Sequence, residues 1–182
     1  SDLYNASLGP ITTSLGKSAL QRVLDASPML ILRDEQSKQL LDQQKLNYQE
    51  VYINADCAIN TTPPPTERME EIIGKEGLFK NPKGTLGFNI NAYIDNWRKD
   101  NKTFGREPFL QAIGSTLDRL IEELDIEIMY TITQVMDTKI TNESLKYVKR
   151  RDRIRVISNA TYTYQEIAGL LQRVEVHVGM RT

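Results

Sequence analysis

Between Glu107 and Leu124, apolar residues recur at helical spacing. Phe109, Leu110, Ile113, Leu117, Leu120, Ile121 and Leu124 share one face, and Asp118, Arg119, Glu122 and Glu123 take the other. Pro108 suits the first turn, where no intrahelical N–H bond is lost. The pattern predicts a long amphipathic helix turned to a core. Leu15, Ala19, Leu20, Val23 and Leu24 predict a shorter helix over 14–25, capped by Thr13 or Ser14 and stopped by Pro28. A further helix is expected from Asp34 to Val51, with Asp34 as cap. Its apolar residues Leu40, Leu41, Leu46 and Tyr48 stand among glutamines and charges, so most of its surface faces water or a partner. Thr66 caps a short helix through Ile73. Ile90, Tyr93, Ile94 and Trp97 predict another, from Asn89 or Asn91 to Lys99.

After Leu124 the period drops to two. Ile126, Ile128, Tyr130 and Ile132 alternate with Glu127, Met129, Thr131 and Thr133, the pattern of a half-buried strand. "LKYVK" and "RIRVIS" flank "RRD" as the arms of a hairpin would, and "ATYTYQEI" and "RVEVHV" also alternate. "VYINADCAI" reads as a short strand. "GKEGLFKNPKGTLGF", rich in Gly, Pro and Asn, reads as a loop. The expected fold class is therefore α+β, with helical N-terminal and middle segments packed on a C-terminal antiparallel sheet. The prolines of "NTTPPPTE" exclude regular helix. The expected division falls there: an N-terminal arm with helices and a short strand over 1–62, and an α+β core domain over 63–182.

Composition narrows the function. The chain has 182 residues, 40% hydrophobic and 26% charged, enough for a core and too apolar for wholesale disorder. A net charge of -1 excludes a surface built throughout for nucleic acid. Cys57 is the one cysteine and His177 the one histidine, which excludes an intramolecular disulfide and a Cys/His-rich metal site. Cys57 is expected as a small buried thiol. No apolar run has the length of a membrane helix, so no membrane insertion is expected. N-x-S/T triplets occur at Asn5, Asn60, Asn101, Asn142 and Asn159. An Asn- and Thr-rich composition accounts for them, and they accept glycans only in a secretory setting. The expected location is a virion or the cytoplasm, with secretion left open.

Three stretches carry candidate chemistry. Gly16-Lys17-Ser18 has the ending of a phosphate-binding loop, but Ile11 stands where its first glycine belongs and no buried strand precedes it. Lys17 is instead expected on the surface of the 14–25 helix. "KYVKRRDRIR" concentrates Lys146, Lys149, Arg150, Arg151, Arg153 and Arg155, broken by Asp152. Such a patch can contact phosphates or an acidic surface of a neighbouring subunit. Along a strand, alternate residues point to opposite faces, so the six need not converge. "TYQEIAGLL" resembles the first helix of a helix-turn-helix, as in the DNA-binding end of sigma-type regulators. That resemblance implies a recognition helix after a turn, where the chain instead gives the strand-like "QRVEVHVGMRT". The carboxylate pairs Glu70–Glu71 and Glu122–Glu123 fall on helix faces expected to be solvated.

No nucleophile elbow, metal-ligand cluster or complete glycine-rich loop appears. The sequence accordingly predicts a non-enzymatic structural or assembly protein without a cofactor, acting through contacts with itself as a homo-oligomer or with neighbouring subunits. A virion component such as a phage tail or head–tail junction protein fits that description. A nucleic-acid binder using a hairpin at 146–155 and an enzyme of unrecognised chemistry are the alternatives. The reading of Lys17 has a direct test: Lys17→Ala leaves the melting temperature unchanged, and calorimetry detects no ATP or GTP binding in either form. Nucleotide binding lost in the variant would reinstate the phosphate loop.

Overall fold

The computed structural model describes residues 2–93 and 105–180. They form two compact units, Ser1–Thr61 and Thr62–Thr182. The first is a β-α-β-α-β chain. Strands β1 (Leu3–Ala6), β2 (Met29–Leu32) and β3 (Glu50–Ile53) lie parallel in sequential order, joined by α1 (Ser14–Asp25) and α2 (Glu35–Gln43). Crossovers between parallel strands are right-handed, so sequential order puts both helices on one face. There Leu24 of α1 and Leu41 of α2 close over Leu30 and Leu32, all at most 1% exposed. Tyr4 and Tyr52 are exposed on the strands. The α1 stripe is narrower than its spacing suggests: Leu24 is buried, whereas Leu15 and Val23 are exposed. Thr13 caps α1 by accepting from Gly16 N–H at 3.0 Å. Lys17 lies exposed in that first turn.

The second unit contains α3 (Thr66–Glu76), β4 (Thr85–Asn89), α4 (Arg106–Leu124), β5 (Glu127–Ile132), α5 (Thr138–Ser144), β6 (Ile154–Ser158), α6 (Tyr164–Leu171) and β7 (Val176–Gly179). Its sheet is parallel throughout, in the order β6-β5-β4-β7. Winding runs outward from β4 through β5 to β6, then returns to place β7 on the other edge of β4. One face packs Phe88, Ile128 and Tyr130 under Leu117 and Ile121 of α4 and Ile140 of α5. The other packs Met129 and Ile157 under Met69 and Ile72 of α3 and Ile167 and Leu170 of α6. Phe88 and Tyr130 meet edge to face at 5.1 Å, and the Tyr130 hydroxyl lies 2.9 Å from Ser144 Oγ.

This architecture corrects the expected α+β class. Both sheets are parallel and helices alternate with strands, so the fold is α/β, and the C-terminal sheet is not antiparallel. Helices on both faces bury a parallel strand on both sides, which is why Met129 and Thr131, the polar phase of the 126–132 alternation, are as buried as Ile128. The hairpin at 146–155 does not form. Residues 145–147 and 151–153 are single 3-10 turns, and β6 pairs in parallel with β5. The glycine-rich "loop" contains the first four residues of β4. "ATYTYQEI" leads into α6, whose start is a capping box in which Thr163 and Glu166 accept each other's backbone N–H. Asp118, expected on the solvated face of α4, is 7% exposed and accepts from the backbone N–H of Lys149 and Arg150. Most of the helix expected up to Lys99 falls on residues 94–104, outside the described residues. Cys57 is exposed, not buried.

Leu117 is 0% exposed at the centre of the α4 stripe. Leu117→Ala should cost about 2–5 kcal/mol of folding free energy, from lost burial and the cavity left behind. Urea unfolding reads the effect, and an unchanged midpoint would contradict the packing described.

Candidate functional site

The strand order of the second unit reverses at β4. The chain leaves β4 toward one face of the sheet, and α6 brings it back across the other face to β7. In open parallel sheets the connections diverge at such a point, and the crevice outside the carboxyl ends of the two strands is where ligands bind. Here those ends are Asn89 and Gly179, paired in register.

The crevice floor is built from amides. Asn89 and Asn91 are 3% and 4% exposed. Asn89 Oδ1 accepts from Met180 N–H at 2.9 Å. Asn91 Nδ2 donates to Met180 O at 3.0 Å, and its Oδ1 accepts from Tyr93 N–H at 3.1 Å. Asp137, 2% exposed, accepts from Ala92 N–H at 2.8 Å. The two asparagines thus fix the backbone leaving β4 against the chain leaving β7, and Asp137 fixes it against the chain leaving β5. Thr131, 1% exposed, donates to Phe88 O at 3.4 Å and ties the end of β5 into the same floor.

His177 stands over this floor. A Cβ on Gly87 would come within 2.6 Å of its Nδ1, so only glycine lets the ring lie flat on β4. Gly179 is held to glycine likewise, its missing Cβ falling 2.7 Å from Asn89 Oδ1. The backbone N–H of Met180 can only donate, which fixes the Asn89 amide: Oδ1 faces Met180 and Nδ2 faces His177 Nε2 at 3.2 Å. Nε2 therefore accepts, and the ring proton sits on Nδ1. Although His177 remains exposed at the sheet edge, partial desolvation against the strand holds the imidazole below its ordinary value, favouring the same neutral form.

The residues singled out in the sequence lie elsewhere. Arg151 and Arg153 fall in the turn that enters the amino end of β6, Lys149 and Arg150 precede it, and Arg155 is the second residue of that strand. Arg153 pairs with Asp125 at 2.5 Å and Arg150 with Asp152 at 3.3 Å. Arg155 Nη1 donates to Asp152 O at 2.8 Å. Lys146 lies apart, in the turn after α5. The six do not share one surface feature, and five of them belong to the edge opposite the crevice. The asparagines, Asp137 and Thr131 were missed because none belongs to a spacing motif. The one signal was an N-x-N pair closing the segment "TLGFNIN", where a strand end was not suspected.

The first unit has a polar cluster of its own after its strands. Ser7 Oγ donates to Asp34 Oδ2 at 2.7 Å, Ser37 N–H to Asp34 Oδ1 at 2.7 Å, and Leu8 N–H to Ser37 Oγ at 2.8 Å. Arg33 pairs with Asp56 at 2.7 Å. Bonds from Ser37 and Ser7 hold the Asp34 carboxyl below its ordinary value. Each group is used in capping α2 or joining strand ends, so this cluster reads as architecture. Among the described residues no group of three or more His, Cys, Asp or Glu side chains is placed to hold a metal ion, and no helix is long and apolar enough to cross a membrane.

The state of His177 sets a pH dependence. Its folded pKa lies below the ordinary 6.5, so the unfolded chain binds more protons just under that pH. The stability it contributes is complete above 6.5 and is lost as pH falls through the folded value. Between about pH 7.5 and about pH 5, His177→Gln should lose less stability than the wild-type chain in urea titrations. Equal losses would show that the ring is not held neutral.

Comparison with curated proteins and with solved structures gives no match. A family model does match: that of the polysaccharide pyruvyl transferases, over residues 3–182. The match covers nearly the whole chain and overturns the expectation of a non-enzymatic virion or assembly protein, and with it the phage-tail reading. It is the alternative of an enzyme, whose chemistry the sequence alone did not reveal, that the family supports. Because that match spans nearly the whole chain, the chain belongs to the polysaccharide pyruvyl transferase family, a family of transferase enzymes.

Proposed function

We propose that this chain takes part in moving a pyruvyl group from an activated donor to a hydroxyl of a saccharide, and that the crevice between the carboxyl ends of β4 and β7 is where it holds the reacting groups. The family supplies the reaction class. The observation that carries the location is the reversal of winding at β4, with Asn89 and Asn91 buried beneath it.

The described side chains there act by binding and orienting. Group transfer to a sugar hydroxyl needs that oxygen held within van der Waals reach of the pyruvyl carbon, and fixed geometry supplies much of the acceleration in such reactions. Buried asparagines suit the task. Their amides both donate and accept, and here each is anchored by a backbone group, so the floor does not reorganise when substrate arrives. A neutral His177 adds a ring whose position is set by Gly87 and Asn89.

The test is transfer of a labelled pyruvyl group into polysaccharide by the full-length protein. Wild type should transfer label. Asn91→Leu, which keeps the branched shape and removes both hydrogen bonds, should lower kcat/KM by roughly a hundredfold, as when a positioning contact is lost. Arg150→Glu, at the opposite edge, should not. Transfer unaffected by Asn91→Leu would move the site elsewhere, and no transfer to any saccharide would overturn the reading.

A further inference from the structure

At the amino edge of the second unit's sheet, opposite the crevice, β4 and β7 begin side by side. A cavity of about 320 Å³ opens there, lined by Glu70 and Ile73 of α3 and by Phe79, Thr85, Arg173 and Glu175. All six belong to the second unit.

Two of these side chains have bonding capacity that the fold does not use. Thr85 is 2% exposed, and its hydroxyl has no hydrogen-bond partner among the described residues. The strand's alternation shows where it points. Leu86 and Phe88 enter the core under α4, so Thr85 takes the opposite face, where Ile73 and Phe79 pack. A buried hydroxyl left unpaired costs stability, so its place on a cavity wall needs a reason. Glu175 is the second. Its Oε2 accepts from Thr85 N–H at 2.6 Å, while its Oε1 takes no bond among the described residues. The carboxylate reaches this position because residue 84 is glycine. A Cβ there would come within 2.7 Å of the Glu175 carboxyl carbon. Gly84 thereby lets a carboxylate oxygen and an orphaned hydroxyl stand beside each other.

The charges of the lining select the ligand chemistry. Glu70 and Arg173 pair at 2.6 Å and offset one another. Glu175 is left over, so the cavity is net negative and disfavours anions. A calcium or magnesium ion needs about six or more oxygen ligands, and no group of three acidic, His or Cys side chains is placed to hold one among the described residues. An ammonium group needs less. It brings one positive charge and three N–H donors, and Glu175 Oε1 and Thr85 Oγ1 are acceptors awaiting donors. Ile73 and Phe79 give the attached carbon skeleton an apolar wall.

We propose that this cavity binds a compact primary amine, whose ammonium group donates to Glu175 Oε1 and Thr85 Oγ1 and whose carbon skeleton lies on Ile73 and Phe79. A short aliphatic amine and an amino sugar share that chemistry. Thr85 and Asn89 are the two ends of β4, so the site stands roughly 13 Å along the strand from the crevice floor. It does not rest on the pyruvyl-transfer reading.

Isothermal titration calorimetry of the full-length protein tests the site at about pH 6.5, where amines carry their proton. The probes are n-butylamine and glucosamine, with N-acetylglucosamine, sodium butyrate and calcium chloride beside them. At least one amine should bind, at one site per chain, and the other three should not; butylamine against glucosamine tells the aliphatic source from the sugar. Glu175→Gln keeps an acceptor for Thr85 N–H and removes the charge, so it should weaken amine binding roughly tenfold, the scale of a lost charge-assisted hydrogen bond. Thr85→Val should weaken it by a similar factor and at the same time raise the urea midpoint, because the unpaired hydroxyl is gone. Arg173→Gln, a surface change that frees Glu70, should tighten it. Binding weakened by Arg173→Gln, or binding of butyrate, would mark an anion site and overturn the proposal. So would binding of calcium, N-acetylglucosamine bound as tightly as glucosamine, or heat from neither amine. Amine affinity unchanged in Glu175→Gln and Thr85→Val would place any binding elsewhere, and a lowered urea midpoint in Thr85→Val would show that the hydroxyl is already used by the fold; either result overturns the site.

Discussion

Strand β4 is hydrogen-bonded along both edges by parallel neighbours, β5 on one side and β7 on the other. The rest of the second unit follows from that placement. A strand so enclosed has no free edge and lies under helices on both faces. Its side chains must therefore be apolar, small or fully hydrogen-bonded. "TLGFN" meets the requirement except at Thr85, whose buried hydroxyl has no hydrogen-bond partner among the described residues. Phe88 enters one core, Gly87 makes room for His177, and Asn89 spends its amide on Met180 and His177.

The same placement divides the unit's chemistry between its two edges. At the amino edge, where β6 begins, charged side chains pair with one another and with turn carbonyls: Arg153 with Asp125, Arg150 with Asp152, Arg155 with Asp152 O. Exposed pairs of this kind contribute little to stability and keep a surface soluble. At the carboxyl edge, the buried side chains of Asn89, Asn91 and Asp137 hold the described parts of the loops by hydrogen bonds to backbone groups.

How much of this was legible in the sequence differs by element. The stripe from Phe109 to Leu124 gave α4 within a residue of its start, because one core-facing side and one solvated side is the pattern a surface helix must have. β5 was visible as a strand, but its alternation pointed to a half-exposed sheet. In a parallel sheet the second face is covered too, and Met129 and Thr131 occupy it. β4 was hidden because three of its five residues, Thr85, Gly87 and Asn89, supply little apolar bulk, Gly87 serving close approach and Asn89 hydrogen bonding. The α6 capping box, Thr163 and Glu166, was present in "TYQE" and was overridden by the tyrosine alternation around it. An antiparallel reading makes "RRD" a hairpin turn, which the parallel pairing of β5 with β6 excludes. The parallel order that creates the crevice depends on which strands pair, and local periodicity carries no record of pairing.

The central claim is that saccharide meets this chain at the carboxyl edge of the β6-β5-β4-β7 sheet. Backbone amide chemical shifts of the isotopically labelled protein, followed during titration with a neutral saccharide that the enzyme accepts, test it most directly. The account predicts that shift changes cluster in 89–93, 131–136, 158–165 and at Gly179 and Met180, with 149–155 unmoved. Changes centred on 149–155 and 80–83, with the asparagine floor silent, would contradict it.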